Sequence, residues 1–443
     1  MSDIPPPASP PEPGFPPCVE HGIWKPVPEA PPNKPAGLTL KLKDIDAKLV
    51  GRIKHKDVLT FHMVGCTGDY EDHDAQFGVA AAMAAQVKSA KAAGLKGSPA
   101  DKASFFYHLG DVIYKPDQKK VTGRATGDGT GLEPAEEDFA AEPGRHPKAL
   151  FNSQLYEAYA GYRGPIFAVA GNHDGKDNID PAKSPIHHYL RNFCANTLEV
   201  SPDNRTDQRP AMIQPYIYWR LDTPLAIILG LYANVANGGI LDNPHDPETR
   251  PQYDWLVSEL KDIRKRGKEK GKRRAVLIAV HYPPYSGAAN FERRGNPRLG
   301  PTNATNQEPL GAVLQRAFAE SSQRPDAVFA AHAHLYQRLT YTYEDGAQIP
   351  YLIVGCGGHS IENIWTLCDG TSKAPAKAVP FEVKHAGSSA ITPGASVKVV
   401  AYNDEEFGFL RVTVTPSELV GEYFVAYPGP LQLVDSFRVR LRA

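Results

Sequence analysis

Cysteine is scarce in this 443-residue chain, and long apolar runs are missing. The five cysteines are odd in number and do not resemble a disulfide framework, which makes a reducing compartment the expected one. No run approaches the roughly 18 apolar residues that a membrane span requires. The first residues, MSDIPPPASPPEPGFPP, lack the basic start and apolar core of a secretory signal. We therefore expect a cytoplasmic protein with no membrane span.

An excess of charge of either sign is also missing. The formal net charge is −1, so no global basic field favours nucleic acid, and no nucleic-acid partner is expected. The share of hydrophobic residues, 41%, is typical of a folded globular protein. Proline is instead concentrated at the beginning, where residues 1–36 predict a flexible or surface-draped arm. Oligomeric state has no readable signal in the sequence.

Apolar strand patterns alternate with helical patterns through most of the chain. Strands are predicted at VLTFHMV (58–64), SFFYHLG (104–110), PIFAVAG (165–171), RAVLIAVH (274–281), DAVFAAHAH (326–334) and IPYLIVGCGG (349–358), among others. Such alternation predicts an α/β layered architecture. From about residue 397, strand patterns follow one another without helices and are expected to be antiparallel strands that finish a sheet. We expect one folded domain over 37–443, with an insertion loop near 116–148.

Polar side chains follow several of these strands at the point where each ends. They are Asp111 and Tyr114 in GDVIY, Asn172, His173 and Asp174 in GNHD, His281 in VHYPPY, and His332 and His334 in AHAH. Each pattern alone is more often a turn, a helix cap or a buried histidine. Because successive strand ends in an α/β sheet converge on one crevice, their joint occurrence favours a site for two divalent or trivalent metal ions.

The order of these motifs resembles the calcineurin-like metallophosphoesterases over roughly residues 57–360. Tyr114 makes the chain most similar to the purple acid phosphatase branch, whereas the protein Ser/Thr phosphatases carry Arg after Gly-Asp and Glu in place of Asp174. The resemblance implies a four-layer α/β/β/α sandwich of two mixed sheets flanked by helices. It also implies an acid phosphatase-like phosphomonoesterase, in which two metal ions (iron with zinc, manganese or iron) produce a hydroxide that attacks a small-molecule phosphate ester.

The resemblance also implies a role for each site residue. The ligands carried over are Asp111 as the carboxylate that bridges both ions, Asn172, His281 and His332 for the second ion, and His334, Tyr114 and position 66 for the first. Tyr114 corresponds to the phenolate that binds ferric iron, although the same motif also occurs where the tyrosine is not a ligand. His173 is the expected general acid, with Asp174 orienting its ring.

Position 66 departs from the family pattern. The strand at 58–64 ends in GCTG, and Cys66 stands where the family has a metal-binding aspartate. The thiolate could bind metal, which would favour zinc or iron over manganese or magnesium. Alternatively Cys66 is a poor ligand with Asp69 or Asp72 as surrogates, or it is an introduced substitution. A nucleophilic cysteine is disfavoured because no Cys-x5-Arg cradle follows. Ala331, where glycine is usual, is a minor departure.

Two other functions remain open at this stage. One is a phosphodiesterase acting on cyclic nucleotides or phospholipid head groups, and the other is a catalytically impaired binding protein, which Cys66 suggests. Arg293, Arg294 and Arg298 could bind phosphate oxygens, with a solvated basic loop as the alternative. His187 and His188 follow the GNHD loop and could face the cleft.

Overall fold

A computed structural model of the protein describes most of the chain. The described residues are 38–69, 73–88, 102–114, 146–175, 184–205, 209–233, 241, 250–270, 273–288, 310–365, 378–383 and 391–441. Outside them lie the predicted arm at 1–36, nearly all of the predicted insertion at 116–148, and the candidates Asp72, Arg293, Arg294 and Arg298. The predictions made for those residues stay predictions.

Strands and helices alternate through the first three quarters of the described chain. The strands are β1 Thr39–Lys41, β2 Leu59–Val64, β3 Phe106–His108, β4 Ile166–Ala168, β5 Trp219–Asp222, β6 Ala226–Leu231, β7 Ala275–Val280, β8 Ala327–Ala330, β9 Tyr336–Thr342, β10 Gln348–Val354, β11 Phe381–Glu382, β12 Ser396–Asn403, β13 Phe407–Val414, β14 Glu418–Tyr427 and β15 Gln432–Arg440. The helices are α1 Leu42–Ile45, α2 Ala47–Lys56, α3 Asp74–Lys88, α4 Pro147–Phe151, a π-helix Asn152–Glu157, α5 Pro185–Phe193, α6 Pro251–Lys270 and α7 Leu310–Ser321. None of these helices is both long and apolar enough to cross a bilayer.

The strands form two mixed sheets. Sheet I has the order β1-β5-β6-β7-β8-β10-β9-β12-β11, and sheet II has the order β15-β14-β13-β2-β3-β4. Strands β6, β7, β8 and β10 run parallel in sheet I, and β2, β3 and β4 run parallel in sheet II. The late strands are antiparallel as expected, but they do not finish a single sheet: β12 joins β9 of sheet I, whereas β13 joins β2 of sheet II.

The parallel strands of sheet I are buried on both faces, so alternate residues serve two cores. Ile227 and Leu229 of β6 pack with Leu256 of α6 and Leu314 of α7 in an outer core. Ile228, between them, belongs to a second core that joins the two sheets and α3. Burial on both faces explains why these strands are continuous apolar runs rather than alternating ones. The two mixed sheets flanked by helices confirm the predicted sandwich.

Candidate metal centre

The carboxyl ends of parallel strands from both sheets meet at one edge of the sandwich. Sheet II brings Cys66 after β2, Asp111 and Tyr114 after β3, and Asn172 after β4, while sheet I brings His281 after β7 and His332 and His334 after β8. Backbone hydrogen bonds join these loops both between the sheets and within sheet II. The Gly65 amide donates to the Val354 carbonyl at 2.9 Å, and the Cys66 amide donates to the Gly110 carbonyl at 3.0 Å.

Three buried side chains form the centre of this edge. Cys66, Asp111 and His281 each offer one ligand atom, and these atoms all lie within 4.8 Å of one another. His281 Nε2 lies 3.2 Å from Asp111 Oδ2 and 3.1 Å from Asn172 Oδ1. His281 Nδ1 lies 2.8 Å from the Leu109 carbonyl, to which it can only donate, so Nε2 of a neutral ring presents a lone pair to two oxygens. That arrangement requires a cation, either a proton on Nε2 or a metal ion, and the donor set therefore fits a metal.

The phenol of Tyr114 joins this centre to His334. Its hydroxyl donates to Asp111 Oδ2 at 3.0 Å and lies 3.2 Å from His334 Nε2. His334 Nδ1 in turn lies 2.6 Å from the Ser360 hydroxyl. The hydroxyl thus lies close to Asp111 Oδ2 and His334 Nε2, two atoms that are expected to bind the first metal ion. Coordination of that ion by the Tyr114 phenolate stays a prediction.

The side chain of Cys66 points toward Asp111 and His281. Its side chain is fully buried, and Sγ accepts a hydrogen bond from the His332 amide at 3.2 Å. Together with the 4.8 Å cluster, this places the sulfur beside Asp111 and His281, and its correspondence to the family carboxylate stays a prediction. Asp69 is described and does not belong to that cluster. Coordination of a metal by this sulfur stays a prediction.

His173 and Asp174 occupy different surroundings although they are adjacent in sequence. The backbone amide of His173 donates to Asp111 Oδ1 at 2.8 Å, and its partly exposed ring lies 4.3 Å from the Tyr114 ring. The Asp174 carboxylate is buried and accepts hydrogen bonds from the backbone amides of Val112 and Gly171 at 2.9–3.1 Å. These bonds tie the two loops together, and the orientation of the His173 ring by Asp174 stays a prediction.

The charges at the centre are coupled. Burial would raise the pKa of the Asp111 carboxyl, but His281 and His173 outweigh it and hold that pKa well below 3.8. Burial would likewise lower the pKa of His281, yet the Asp111 carboxylate raises it above 6.5. Burial and the Asp111 charge together raise the pKa of Asp174 to about 7. An ionised Asp111 is therefore the dominant negative charge at this edge.

The remaining candidate ligands are neutral in the absence of a metal. Burial, reinforced by His359, lowers the pKa of His334 to about 3, and burial with the His281 charge lowers that of His332 well below 6.5. Burial followed by the Asp111 charge raises the pKa of the Cys66 thiol well above 9.0. Neutral imidazole is the form that binds metal, whereas the thiol has to lose its proton to do so.

One glycine is required by the approach of the loops. Gly110 has a φ of +91°, a conformation that residues with side chains rarely adopt. A Cβ atom at this position would lie 2.6 Å from His281 Nδ1 and 2.8 Å from the Gly171 amide nitrogen. The Gly-Asp motif is thus explained by packing: the backbone before Asp111 lies directly against the His281 ring.

His359 is a site residue that the sequence reading missed. Its ring is stacked on that of Tyr114, with centroids 3.5 Å apart and an interplanar angle of 9°. Its amide donates to the Cys66 carbonyl at 3.2 Å. The available signal in the sequence was a histidine directly after the paired glycines Gly357 and Gly358, shortly beyond a predicted strand.

His108 lies beneath the site and was also missed. Its Nδ1 accepts a hydrogen bond from the Gly110 amide at 3.1 Å, so Nε2 carries the hydrogen and donates to Thr67 Oγ1 at 2.8 Å. Because Thr67 follows Cys66 and Gly110 precedes Asp111, His108 connects the two loops that bear those residues. A histidine inside the apolar run SFFYHLG was its only sequence signal.

His188 lies in a buried ion-pair network. Its Nδ1 lies 2.7 Å from Asp203 Oδ2, and Arg191 binds the other oxygen of Asp203 at 3.1 Å. His187 is on the exposed side of α5. These contacts give His188 a structural explanation, and the suggestion that it faces the metal centre gains no support.

The chain was compared with solved structures and with curated protein sequences. Among solved structures, the chain is similar to GAP50, described as the anchor in the inner membrane complex of Plasmodium, with 12% identity, a TM-score of 0.49, and coverage of 87% of this chain and 90% of that one. It is also similar to PhoD, with 15% identity, a TM-score of 0.45, and coverage of 86% and 70%. No curated protein sequence matches the chain.

The sequence profile of one family matches most of the region that forms the site. The profile of the calcineurin-like phosphoesterases matches residues 59–336, from the first residue of β2 to the first residue of β9, which is more than half of the chain. This stretch contains every predicted metal ligand as well as His173. The predicted family is confirmed: the chain belongs to the calcineurin-like phosphoesterases and is a metal-dependent phosphoester hydrolase.

Proposed function

We propose that the protein is an acid phosphatase-like phosphomonoesterase of the purple acid phosphatase branch, acting on small-molecule phosphate esters with two metal ions. The observation that carries this proposal is the convergence of ligand atoms from Cys66, Asp111 and His281 within 4.8 Å. Asn172 contacts His281, and the Tyr114 hydroxyl donates to Asp111. Carboxylate, amide and imidazole donors around one shared carboxylate suit paired hard or borderline metal ions.

Each half of the centre has its own donors. Asp111 would be shared, Asn172, His281 and His332 would hold one ion, and Cys66, Tyr114 and His334 would hold the other, with iron beside zinc, manganese or a second iron as the expected pair. Metal ions bound there would supply Lewis acidity toward a phosphoryl oxygen and lower the pKa of a water molecule.

The protein's own groups prepare this centre for binding. The Leu109 carbonyl fixes the His281 tautomer, so that Nε2 faces the shared carboxylate. The Tyr114 hydroxyl and the His173 amide each donate to a different oxygen of Asp111, which fixes the plane of that carboxylate. Second contacts of this kind orient metal ligands before the metal arrives.

His173 is the group best placed to donate a proton to the leaving alcohol. Its backbone is anchored to Asp111, while its ring is partly exposed beside Tyr114 at the mouth of the site. General acid catalysis contributes typically about 100-fold or more. The contribution should depend on the leaving group, because a weakly acidic alcohol needs the proton more than p-nitrophenol does.

The test compares esters and variants of the metal-loaded protein. We expect p-nitrophenyl phosphate to be hydrolysed faster than bis-p-nitrophenyl phosphate. His173→Ala should lower turnover of phenyl phosphate more than that of p-nitrophenyl phosphate, with exposed His187→Ala as the matched control. Preference for the diester would replace the proposal with a phosphodiesterase. Hydrolysis of neither ester above the His173→Ala background would favour a binding protein with an impaired site.

A further inference from the structure

Three buried glutamines make the same contact in different parts of the fold. In each, the side-chain amide accepts a hydrogen bond from the backbone N–H of one residue and donates to the carbonyl of that same residue. The pairs, with their two distances, are Gln154 with Tyr114 (2.7 and 2.9 Å), Gln214 with Ala168 (2.7 and 3.0 Å) and Gln252 with Tyr232 (2.8 and 2.9 Å). All three glutamines are fully buried. Each contact satisfies both polar groups of one backbone position: Ala168 ends β4, Tyr232 directly follows β6, and Tyr114 lies in the loop after β3.

Gln154 differs from the other two in what surrounds it. It lies in the π-helix Asn152–Glu157, and π-helical turns are uncommon and concentrate at functional sites. Its carbonyl accepts a hydrogen bond from Gln76 Nε2 at 2.6 Å, which ties the turn to α3. A Cβ atom at Gly68 would lie 2.0 Å from Gln154 Oε1, so the loop after Cys66 leaves room only for this amide.

Tyr114, the residue that Gln154 holds, makes contacts that depend on its position. Its hydroxyl lies 3.0 Å from Asp111 Oδ2 and 3.2 Å from His334 Nε2, both near the outer range of a good hydrogen bond. Its ring contacts the rings of both His359 and His173, with centroids 3.5 Å and 4.3 Å away. A displacement of the Tyr114 backbone by about 1 Å would break at least one of the two hydroxyl contacts.

We propose that Gln154 is a positioning residue of the metal centre, which acts by holding the Tyr114 backbone so that the phenol stays between Asp111 and His334. The part of this proposal that concerns metal binding rests on the proposed function, whereas the part that concerns the phenol does not. Residues that orient ligands in this way typically contribute about 10-fold or more to metal affinity.

The position of the phenol is measured first, without metal or substrate. The protein is labelled with 3-fluorotyrosine, and the fluorine resonance of Tyr114 is assigned by its loss in Tyr114→Phe. Gln154→Met removes both hydrogen bonds at nearly constant volume, and Gln252→Met removes the same two bonds elsewhere and is the matched control. We expect the Tyr114 resonance to shift or broaden in Gln154→Met and to stay unchanged in Gln252→Met. An unmoved resonance in Gln154→Met, or an equal change in the control, overturns the proposal.

Zinc affinity is the second measurement. We expect about a 10-fold loss in Gln154→Met relative to Gln252→Met. If the Tyr114 resonance shifts but the two variants bind zinc with equal affinity, the Gln154–Tyr114 contact does not support metal binding, and that part of the proposal is wrong. If Gln154→Met does not fold, Gln154→Glu replaces it with Gln252→Glu as its matched control, because an ionised carboxylate keeps the acceptor for the Tyr114 amide, loses the donor to its carbonyl and adds the same charge in both variants. Since neither readout needs a phosphate ester, failure of the proposed function and failure of this proposal are distinguishable.

Discussion

At the scale of single residues, backbone strain coincides with the metal centre. Three candidate ligands have the left-handed conformation that side chains rarely adopt, Cys66 at φ 53°, Asp111 at φ 53° and His332 at φ 64°. Each such residue carries a strain on the order of 1 kcal/mol that the surrounding packing has to offset. Strained conformations of this kind cluster at active sites, and here they occur in three separate loops at the edge where the candidate ligands lie.

Cys66 allows the sharpest prediction at this scale. Replacing it by aspartate should raise manganese or iron content and turnover, because a carboxylate is the ligand that a hard ion prefers. The buried position next to the His332 amide, which already donates to Sγ at 3.2 Å, offers the new carboxylate a hydrogen bond. Metal content and rate are measured for the natural protein and Cys66→Asp with zinc, manganese and iron.

The size-matched control for that experiment is Cys66→Ser, which removes the thiol without adding a charge. If the thiolate is a true ligand, Cys66→Asp should instead move the preference away from zinc and lower the rate, and Cys66→Ser should lose zinc. An identical metal content and rate in all three proteins would show that position 66 is outside the coordination sphere.

A second residue-scale prediction concerns the buried histidine His62, which lies in β2 four residues before Cys66. Its ring nitrogens lie 3.1 Å from the Tyr162 hydroxyl and 3.0 Å from Gln86 Oε1. Burial lowers its pKa from 6.5 to about 3, although the Gln86 hydrogen bond opposes this. Between those values the unfolded chain binds the proton and the folded protein does not. Stability is therefore full above pH 6.5 and falls as the pH decreases toward 3.

His62→Gln should flatten this dependence. Over the interval from pH 6.5 to pH 5 a single such group changes the free energy of unfolding by about 2 kcal/mol. We expect the difference in unfolding free energy between pH 7 and pH 5, measured by urea titration, to shrink by roughly that amount. His55→Gln, at an exposed histidine of α2, should leave the difference unchanged. A pH dependence equal in both variants would contradict the assignment to His62.

At the scale of elements, the strands that supply the ligands were predictable and their partners were not. The runs at 58–64 and 274–281 were assigned as strands and are observed as Leu59–Val64 and Ala275–Val280, because buried parallel strands are continuous apolar runs bounded by glycine or polar residues. The split of the late strands between the two sheets had no local signal. It depends on which edge each hairpin meets, and β13 happens to complete sheet II beside β2.

The same limit applies to the parts of the site that were missed. Asp111, Asn172 and His281 were predicted as ligands because each follows an apolar strand and is of a residue type that binds metal. Gln154 and His359 contact the site from a helical turn and a loop whose packing depends on the tertiary fold. A glutamine in NSQLYE has no sequence feature that distinguishes it from a surface residue, so only the structure reveals that it holds Tyr114.

The contact between the ends of β2 and β8 gives an element-scale prediction. A Cβ atom at Gly65 would lie 2.7 Å from the Cβ of Ala331, the residue where the family usually has glycine. Gly65→Ala should therefore lower the unfolding free energy by about 1–3 kcal/mol, a typical penalty for overpacking. Ala331→Gly in the same protein should recover part of the loss, because it removes the facing methyl group.

A double-mutant cycle measures this coupling by urea unfolding. The recovery should be incomplete, since the new methyl group would also lie 3.0 Å from the Gly110 carbonyl oxygen. Purely additive effects of the two substitutions would mean that the strand ends do not meet as described.

At the scale of the whole molecule, the metal centre joins the two sheets. Asp111, Tyr114 and Asn172 follow strands of sheet II, whereas His281 and His334 follow strands of sheet I. The hydrogen bonds and close contacts among these side chains cross from one sheet to the other, as in the 3.2 Å contact between Tyr114 and His334. A metal ion held by both groups would therefore bind only when the sheets are correctly packed together.

Metal binding should accordingly stabilise the whole fold. An ion that binds only the folded protein adds about 2.7 kcal/mol to the free energy of unfolding at a free concentration of 100 times its dissociation constant. We expect zinc to raise the urea midpoint in a concentration-dependent way. His281→Ala should bind about one equivalent less metal, because a two-ion site loses one ion when half of its ligands fail, and should show a smaller zinc-induced increase. His62→Ala removes a buried histidine outside the centre and should keep the full increase over its own metal-free state. Equal zinc-induced increases of the urea midpoint in the two variants would place the bound metal somewhere other than between the sheets. No increase in the unsubstituted protein would contradict zinc binding to the folded state.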